Sequence, residues 1–339
     1  MKFLITGASG GIGFPLTRYL SKLHGKRNLQ LILPPKGFYE KENKRGLVLI
    51  EEGFDVVIND ILHQDLDIKA INPFDVLLHL AAFTETETDS PRVHVNDIGT
   101  ERLLNALKPL LPGKRVIHTG SVATIDRSYP DNTPITENHP HKPRTVYGLT
   151  KLKAESIIKR HAKETGFEWV ILRLPTVYGP SYRPGGMFDV IPKSLRKNSL
   201  STRLSWPGRL SVVYVQDVVK VLALLSKTNS GISEIYNINS GENPTFDEMI
   251  TDIARIIGVK RRTIQVPKLF WSLVRFIVWF PGLLNIMPFK LKVALWRISL
   301  IINDGFVFDS SKLNKVFHVK YTKLEKGLPT IYKKETQPI

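Results

Sequence analysis

The chain is predicted to fold as an α/β protein: a doubly wound parallel sheet with a smaller, mostly helical C-terminal lobe. Three features of its 339 residues predict this. Four glycines fall within seven positions just after the first apolar run. Short apolar runs then alternate with stretches of helical spacing. A tyrosine and a lysine four residues apart open one of those stretches.

Phe3-Leu4-Ile5 reads as a strand buried on both faces. Ile12, Leu16, Leu20 and Leu23 repeat at helical spacing, so the glycines between form a strand-to-helix turn. Pro15 falls in the first helical turn, where its missing N–H costs little. Bare backbone can approach a ligand closely, and a helix N-terminus adds unpaired N–H groups and a positive dipole end. Both suit a pyrophosphate. The spacing is Gly7-x-x-Gly10-x-x-Gly13, with Gly11 beside it, rather than the G-x-G-x-x-G of the standard dinucleotide fingerprint. Alone, such a turn carries little information about function.

Further apolar runs end in polar or small residues: Leu29–Leu33 before Pro34-Pro35-Lys36, Val56–Ile58 before Asn59-Asp60-Ile61, and Val76–Leu80 before Ala81-Ala82. Val116–His118 precedes Thr119-Gly120-Ser121, and Val170–Leu172 precedes Arg173-Leu174-Pro175. Alternation with helices implies a parallel sheet covered on both faces, with ligands gathering at the carboxyl ends of the strands.

Tyr147-Gly148-Leu149-Thr150-Lys151 is the only place where a tyrosine has lysine four residues on. The segment that follows (Leu152, Ile157, Ile158, His161) reads as a helix, which puts phenol and amine on one face. A neighbouring cation favours phenolate, bringing a group with a reference pKa of about 10 toward working pH. Such a tyrosine can exchange a proton with a substrate oxygen while hydride moves.

TGASGGIG at residues 6–13 and the Tyr147/Lys151 pair resemble the extended branch of the short-chain dehydrogenase/reductase superfamily, the NAD-dependent epimerase/dehydratase family. Arg173–Pro180 resembles its LRPxxVYGP stretch, Tyr214–Val219 its HVDDVA helix start, and Tyr236–Gly241 its last core strand. The resemblance implies a Rossmann-type fold and a catalytic trio of Ser121, Tyr147 and Lys151, with Lys151 also binding the nicotinamide ribose. It implies a cofactor cradle of Gly7, Gly10, Gly11, Ile12 and Gly13. Asp60 and Ile61 would contact adenine; Leu80, Ala81, Ala82, Asn96 and Pro175 would flank the cofactor. Asp60 could instead cap a helix, and Asn96 could simply bond backbone.

Enzymes preferring NAD usually place Asp or Glu after the second strand. Here Lys36 stands nearby and the first acid is Glu40. An ammonium there suits a 2′-phosphate, so NADP(H) is favoured and NAD(H) remains possible.

Val122 and Ala123 follow Ser121 where sugar-nucleotide dehydratases carry an acidic pair, which argues against dehydration. Leu210-Ser211-Val212 replaces the diphosphate-binding arginine of the epimerases, with Arg209 one place out of register. Residues 269–302 are strongly apolar and rich in Trp and Phe, with Arg275, Lys290, Lys292 and Arg297 as punctuation. Pro281-Gly282 and Pro288 interrupt the run before it reaches membrane-spanning length. It could lie in a membrane surface or close a substrate lobe. Either version favours a hydrophobic small-molecule substrate, as in the 3β-hydroxysteroid dehydrogenase and dihydroflavonol-reductase-like group. The expected activity is therefore oxidoreduction of a secondary alcohol or ketone on a lipid-, steroid- or polycyclic-like molecule. The alternatives are a nucleotide-sugar 4-epimerase, with Arg183, Arg196, Arg203 and Arg209 gripping the diphosphate, and a non-catalytic NADP(H)-binding subunit or sensor.

The expected organisation is a cofactor domain over 1–174, to which 208–240 returns, and a substrate lobe over 175–207 and 241–332. A formal net charge of +17 invites anionic partners, yet the basic runs, such as Lys260-Arg261-Arg262, are short and lack interleaved aromatics. Nucleic acid is therefore not expected. Cysteine is absent, which removes disulfides and thiolate metal sites, and the scattered histidines suggest no metal centre. The N-terminus lacks a signal-peptide pattern, so a cytoplasmic protein, peripheral at the membrane if 269–302 touches it, is expected. Homodimerisation through the helices bearing Asn96 and Tyr147 is implied by the resemblance.

Overall fold

Seven parallel strands form the centre of the protein, in the order β3-β2-β1-β4-β5-β6-β9. They are β1 (Phe3–Thr6), β2 (Leu29–Leu33), β3 (Asp55–Ile58), β4 (Val76–His79), β5 (Arg115–Ser121), β6 (Glu168–Leu174) and β9 (Glu234–Asn237). The computed structural model describes residues 1–332 apart from 38, 85–89, 126–132, 144, 181–184, 280–290, 292–297, 299–300 and 304–305. The side chains of 277–279 are also outside the description.

Every residue of β1, β2, β4 and β5 is buried, because helices cover both faces of the sheet. On one face, Leu16 and Leu20 of α1 (Gly13–His24) share a core with Val218, Leu222 and Leu225 of α7 (Val215–Lys227). On the other, Leu103, Leu104 and Leu107 of α3 (Ile98–Leu107) pack with Ile158 and Ala162 of α4 (Val146–Thr165). Each such side chain contributes about 1.5–3 kcal/mol through burial. Leu23, expected on the inner stripe of α1, is instead 49% exposed in the last turn of the helix.

The strand expected at Val116–His118 runs through Ser121, because Thr119, Gly120 and Ser121 keep pairing with Leu172, Arg173 and Leu174. At the opposite end of β5, Arg115 donates to the carbonyls of Leu225 and Ser226 at 3.0 and 3.3 Å, closing the last turn of α7. The strand order reverses between β1 and β4, and it is there that an open parallel sheet leaves a crevice.

A third apolar cluster joins Tyr178 of β7 (Thr176–Tyr178), Leu195 of α5 (Met187–Arg196), which the short α6 (Leu200–Arg203) follows, Ile250 of α8 (Phe246–Ile256) and Leu328. Strand β7 pairs in parallel with β8 (Val212–Tyr214). A capping box between Thr245 and Glu248 starts α8. Pro192 inside α5 has no N–H to offer the carbonyl of Phe188, and the Tyr332 hydroxyl donates to that carbonyl instead, at 3.0 Å. Most of 280–300, the later part of the apolar run, lies outside the described residues. Its start forms α9 (Lys268–Trp279). No described helix is long and apolar enough to cross a membrane.

Candidate active site

The glycine turn is built for close approach. Gly7 has φ +69°, and a Cβ there would lie 2.6 Å from the backbone nitrogen of Ala81, so only glycine lets the ends of β1 and β4 meet. A Cβ on Gly13 would fall 2.0 Å from the carbonyl oxygen of Gly7, so this second glycine seats α1 on the turn. Ile12, at the N-cap of α1, makes no side-chain cap, and the first turn contains no acid. That end of the helix is therefore left to an outside anion.

The turn opens on a cleft of about 480 Å³. Gly7, Gly10, Gly11, Ile12 and Gly13 line it, and so do Ser121, Tyr147 and Lys151. Leu80, Ala82 and Pro175 complete the expected set that does so. A bare backbone turn at a helix N-terminus, continuous with a hydroxyl, a phenol and an amine, fits a nicotinamide dinucleotide. The glycines would hold its diphosphate, and Lys151 its ribose hydroxyls.

Local structure explains why the three polar groups share this cleft. Ser121 ends β5, and its Oγ accepts from the Ala123 N–H at 3.1 Å. Helix α4 is capped by Thr145, whose Oγ1 accepts from the Gly148 N–H at 3.0 Å. A Cβ on Gly148 would lie 2.2 Å from the Ala123 carbonyl oxygen, so glycine at this position lets the helix rest against the turn after Ser121. Tyr147 enters the cleft from that first turn, and Lys151 follows one turn later on the same face.

Lys151 is buried, and its Nζ lies 3.1 Å from His118 Nε2. His118 Nδ1 bonds the carbonyl oxygen of His79 at 3.2 Å, an acceptor only. The proton of His118 therefore sits on Nδ1, and Nε2 accepts from Lys151. Beneath it, Thr6 accepts from the Ala81 N–H and donates to His79 Nδ1, while His79 Nε2 donates to Thr100, which donates to the Asn96 carbonyl. Burial, reinforced by the charge of Lys151, lowers His79 to about 3 and His118 well below its ordinary value. Both rings are neutral. Burial lowers Lys151 to about 7, against the pull of the Glu155 carboxylate.

Glu155 itself is held by Arg173, whose Nε and Nη2 donate to its two oxygens at 2.9 and 2.8 Å in a fully buried fork. This pair ties the end of β6 to the helix that bears Tyr147 and Lys151.

Five expected contacts do not line the cleft. Asn96 is buried, with its amide spent on the backbone of Phe83 and on Thr150. It braces the site from behind. The Ala81 N–H is spent on Thr6. Asp60 caps its own turn through the Leu62 N–H, and Ile61 is core beside α3. Lys36 is exposed, and α2 (Glu40–Glu51) instead brings Lys41, Glu42 and Arg45 to the cleft, with Tyr39 just before them. Sequence reasoning missed these four, because their approach depends on the path of the loop after β2, which no spacing encodes. Arg196 and Arg209 are exposed, Arg203 is partly buried, and none lines the cleft; Arg183 lies outside the described residues.

Comparison with known proteins identifies the family. Residues 3–239 match the model of the NAD dependent epimerase/dehydratase family. An uncharacterized UDP-glucose epimerase of Bacillus subtilis is 29% identical over 77% of this chain and 83% of its own. An Escherichia coli N-acetyl-α-D-glucosaminyl-diphospho-ditrans,octacis-undecaprenol 4-epimerase is 24% identical over 78% of this chain and 75% of its own. The fold is that of the UDP-glucuronic acid 4-epimerase of Bacillus cereus, solved with UDP-glucuronic acid and NAD: TM-score 0.73, 24% identity, 98% of each chain covered. Fold, cleft and family match together show that this chain belongs to the NAD-dependent epimerase/dehydratase family of extended short-chain dehydrogenase/reductase enzymes.

Proposed function

We propose that the protein is a 4-epimerase of a sugar carried on a diphosphate, with NAD as its cofactor. The observation that carries this reading is the convergence of Ser121, Tyr147 and Lys151 on the cleft that the glycine turn opens. The named activities of the relatives favour a sugar diphosphate over the hydrophobic ketone suggested by the apolar C-terminal run. Lys36 gives NADP(H) no support, being exposed and off the cleft.

In this reading Tyr147 takes the proton of the sugar 4-hydroxyl, and the same oxygen accepts a hydrogen bond from Ser121. Lys151 holds the tyrosine toward phenolate and binds the ribose. Bound NAD supplies a reversible hydride acceptor. Once the 4-keto sugar has turned over in the cleft, Tyr147 would return the proton to its 4-oxygen, and the epimerisation would leave no net redox change. Val122 and Ala123, both on the cleft, offer no acid for a dehydration step. Exposed Ile98 on α3 and Leu149 on α4 support a homodimer across those helices.

Nucleotide and lipid carriers share the sugar-diphosphate chemistry. Purified protein with NAD is to be given UDP-glucose, UDP-N-acetylglucosamine and undecaprenyl-diphospho-N-acetylglucosamine, with products resolved by chromatography. A 4-epimer formed from any of them without net NADH supports the reading. Stoichiometric NADH formation on steroid-like secondary alcohols, with every sugar untouched, overturns it.

A further inference from the structure

We propose that α9 is a docking surface for an anionic bilayer, holding the substrate lobe against a membrane. Leu269, Phe270, Leu273 and Phe276 are 82%, 50%, 57% and 57% exposed. Positions 269, 273 and 276 share one helical face, and 270 widens it. Soluble monomers seldom leave four large apolar side chains together in water.

The helix is fixed to the body by its other side. Trp271 is buried and packs on Trp206 with ring centroids 4.8 Å apart. Arg275 donates from Nε to the carbonyl of Ile302 at 3.2 Å. The outward stripe is thus presented by an anchored element. Phe306, four residues beyond Ile302, lines the cleft, so the helix belongs to the lobe that borders the site.

Charge identifies the occupant. Residues 253–303 contain nine lysines and arginines and no acid, so all 31 acidic residues of the chain lie outside this stretch. Lys260, Arg262 and Lys268 are exposed on the approach to α9. Arg255 and Arg261 pair with Asp252 and Asp247 of α8, while Lys260, Arg262 and Lys268 stand exposed near the apolar stripe, the pattern of an interfacial helix on anionic lipid. A second copy of the chain would bring the same cations face to face across the contact, which disfavours a dimer through this surface.

The test is co-sedimentation of the full chain with vesicles of phosphatidylcholine alone and of phosphatidylcholine with phosphatidylglycerol. Binding is read without turnover, so the result stands apart from the epimerase reading. The expected result is binding to the anionic vesicles, weakened by salt, and reduced by more than about tenfold in Leu269→Ser/Phe270→Ser/Leu273→Ser. Lys260→Glu/Lys268→Glu should weaken it as well. NAD affinity, unchanged in both variants, shows that they fold. Absence of vesicle binding, equal binding to neutral vesicles, or full binding by the triple serine variant overturns the proposal. So does a dimer that the triple variant splits while vesicles bind neither protein.

Discussion

Lys151 donates a hydrogen bond to His118 Nε2 at 3.1 Å, at a point where neither side chain meets solvent. The direction follows from the His79 carbonyl, which holds the His118 proton on Nδ1. His118 thereby positions the amine of Lys151, which lines the same cleft as Tyr147.

Replacing His118 by Phe should lower kcat near neutral pH by about ten- to a hundredfold, the value of one hydrogen bond to a charged donor. His118→Asn, which keeps an acceptor, should recover part of it. The pH–rate profile is the check, since a merely structural role would leave its shape unchanged.

Lys151 titrates at about 7 in the cofactor-free protein. Below that pH it is an ammonium and attracts the dinucleotide; as pH rises through it, the charge and the attraction are lost. NAD should therefore bind about tenfold more weakly on the alkaline side, with proton uptake on binding at neutral pH. Calorimetry in buffers of different ionisation enthalpy measures that uptake. Lys151→Met should abolish the step.

The Arg173–Glu155 pair is buried, so breaking it leaves a charge without a partner. Arg173→Met alone should cost about 3–5 kcal/mol, while Arg173→Met/Glu155→Leu should restore most of that. Urea unfolding of both variants reads the difference.

Gly148→Ala places a methyl group against the Ala123 carbonyl. Overpacking of this kind costs about 1–3 kcal/mol and should push the first turn of α4 from Ser121. Activity should fall more than NAD affinity, because the glycine turn at residues 7–13 is untouched.

The sheet was legible in the sequence because strands buried on both faces are nearly continuous apolar runs, as Leu31–Leu33 and Val76–Leu78 are. The trio was legible because Tyr147 and Lys151 sit one helical turn apart. What the sequence concealed depends on tertiary approach. Lys36 and Lys41 are equally basic neighbours in the chain, and only the loop path decides that Lys41 reaches the cleft. His118 gives no sign of its role, since its partner is 33 residues away. Asn96 stood where a ligand contact was expected, but the Phe83 backbone needed both ends of its amide.

The most direct measurement follows a deuterium label at C4 of a sugar diphosphate that the enzyme accepts, with NAD present and the products read by NMR. If hydride leaves C4 and returns to it while Tyr147 carries the proton, deuterium remains at C4 in the epimer and no NADH accumulates; Tyr147→Phe should bind NAD and form no epimer. Solvent hydrogen at C4, or full turnover by Tyr147→Phe, would contradict the account.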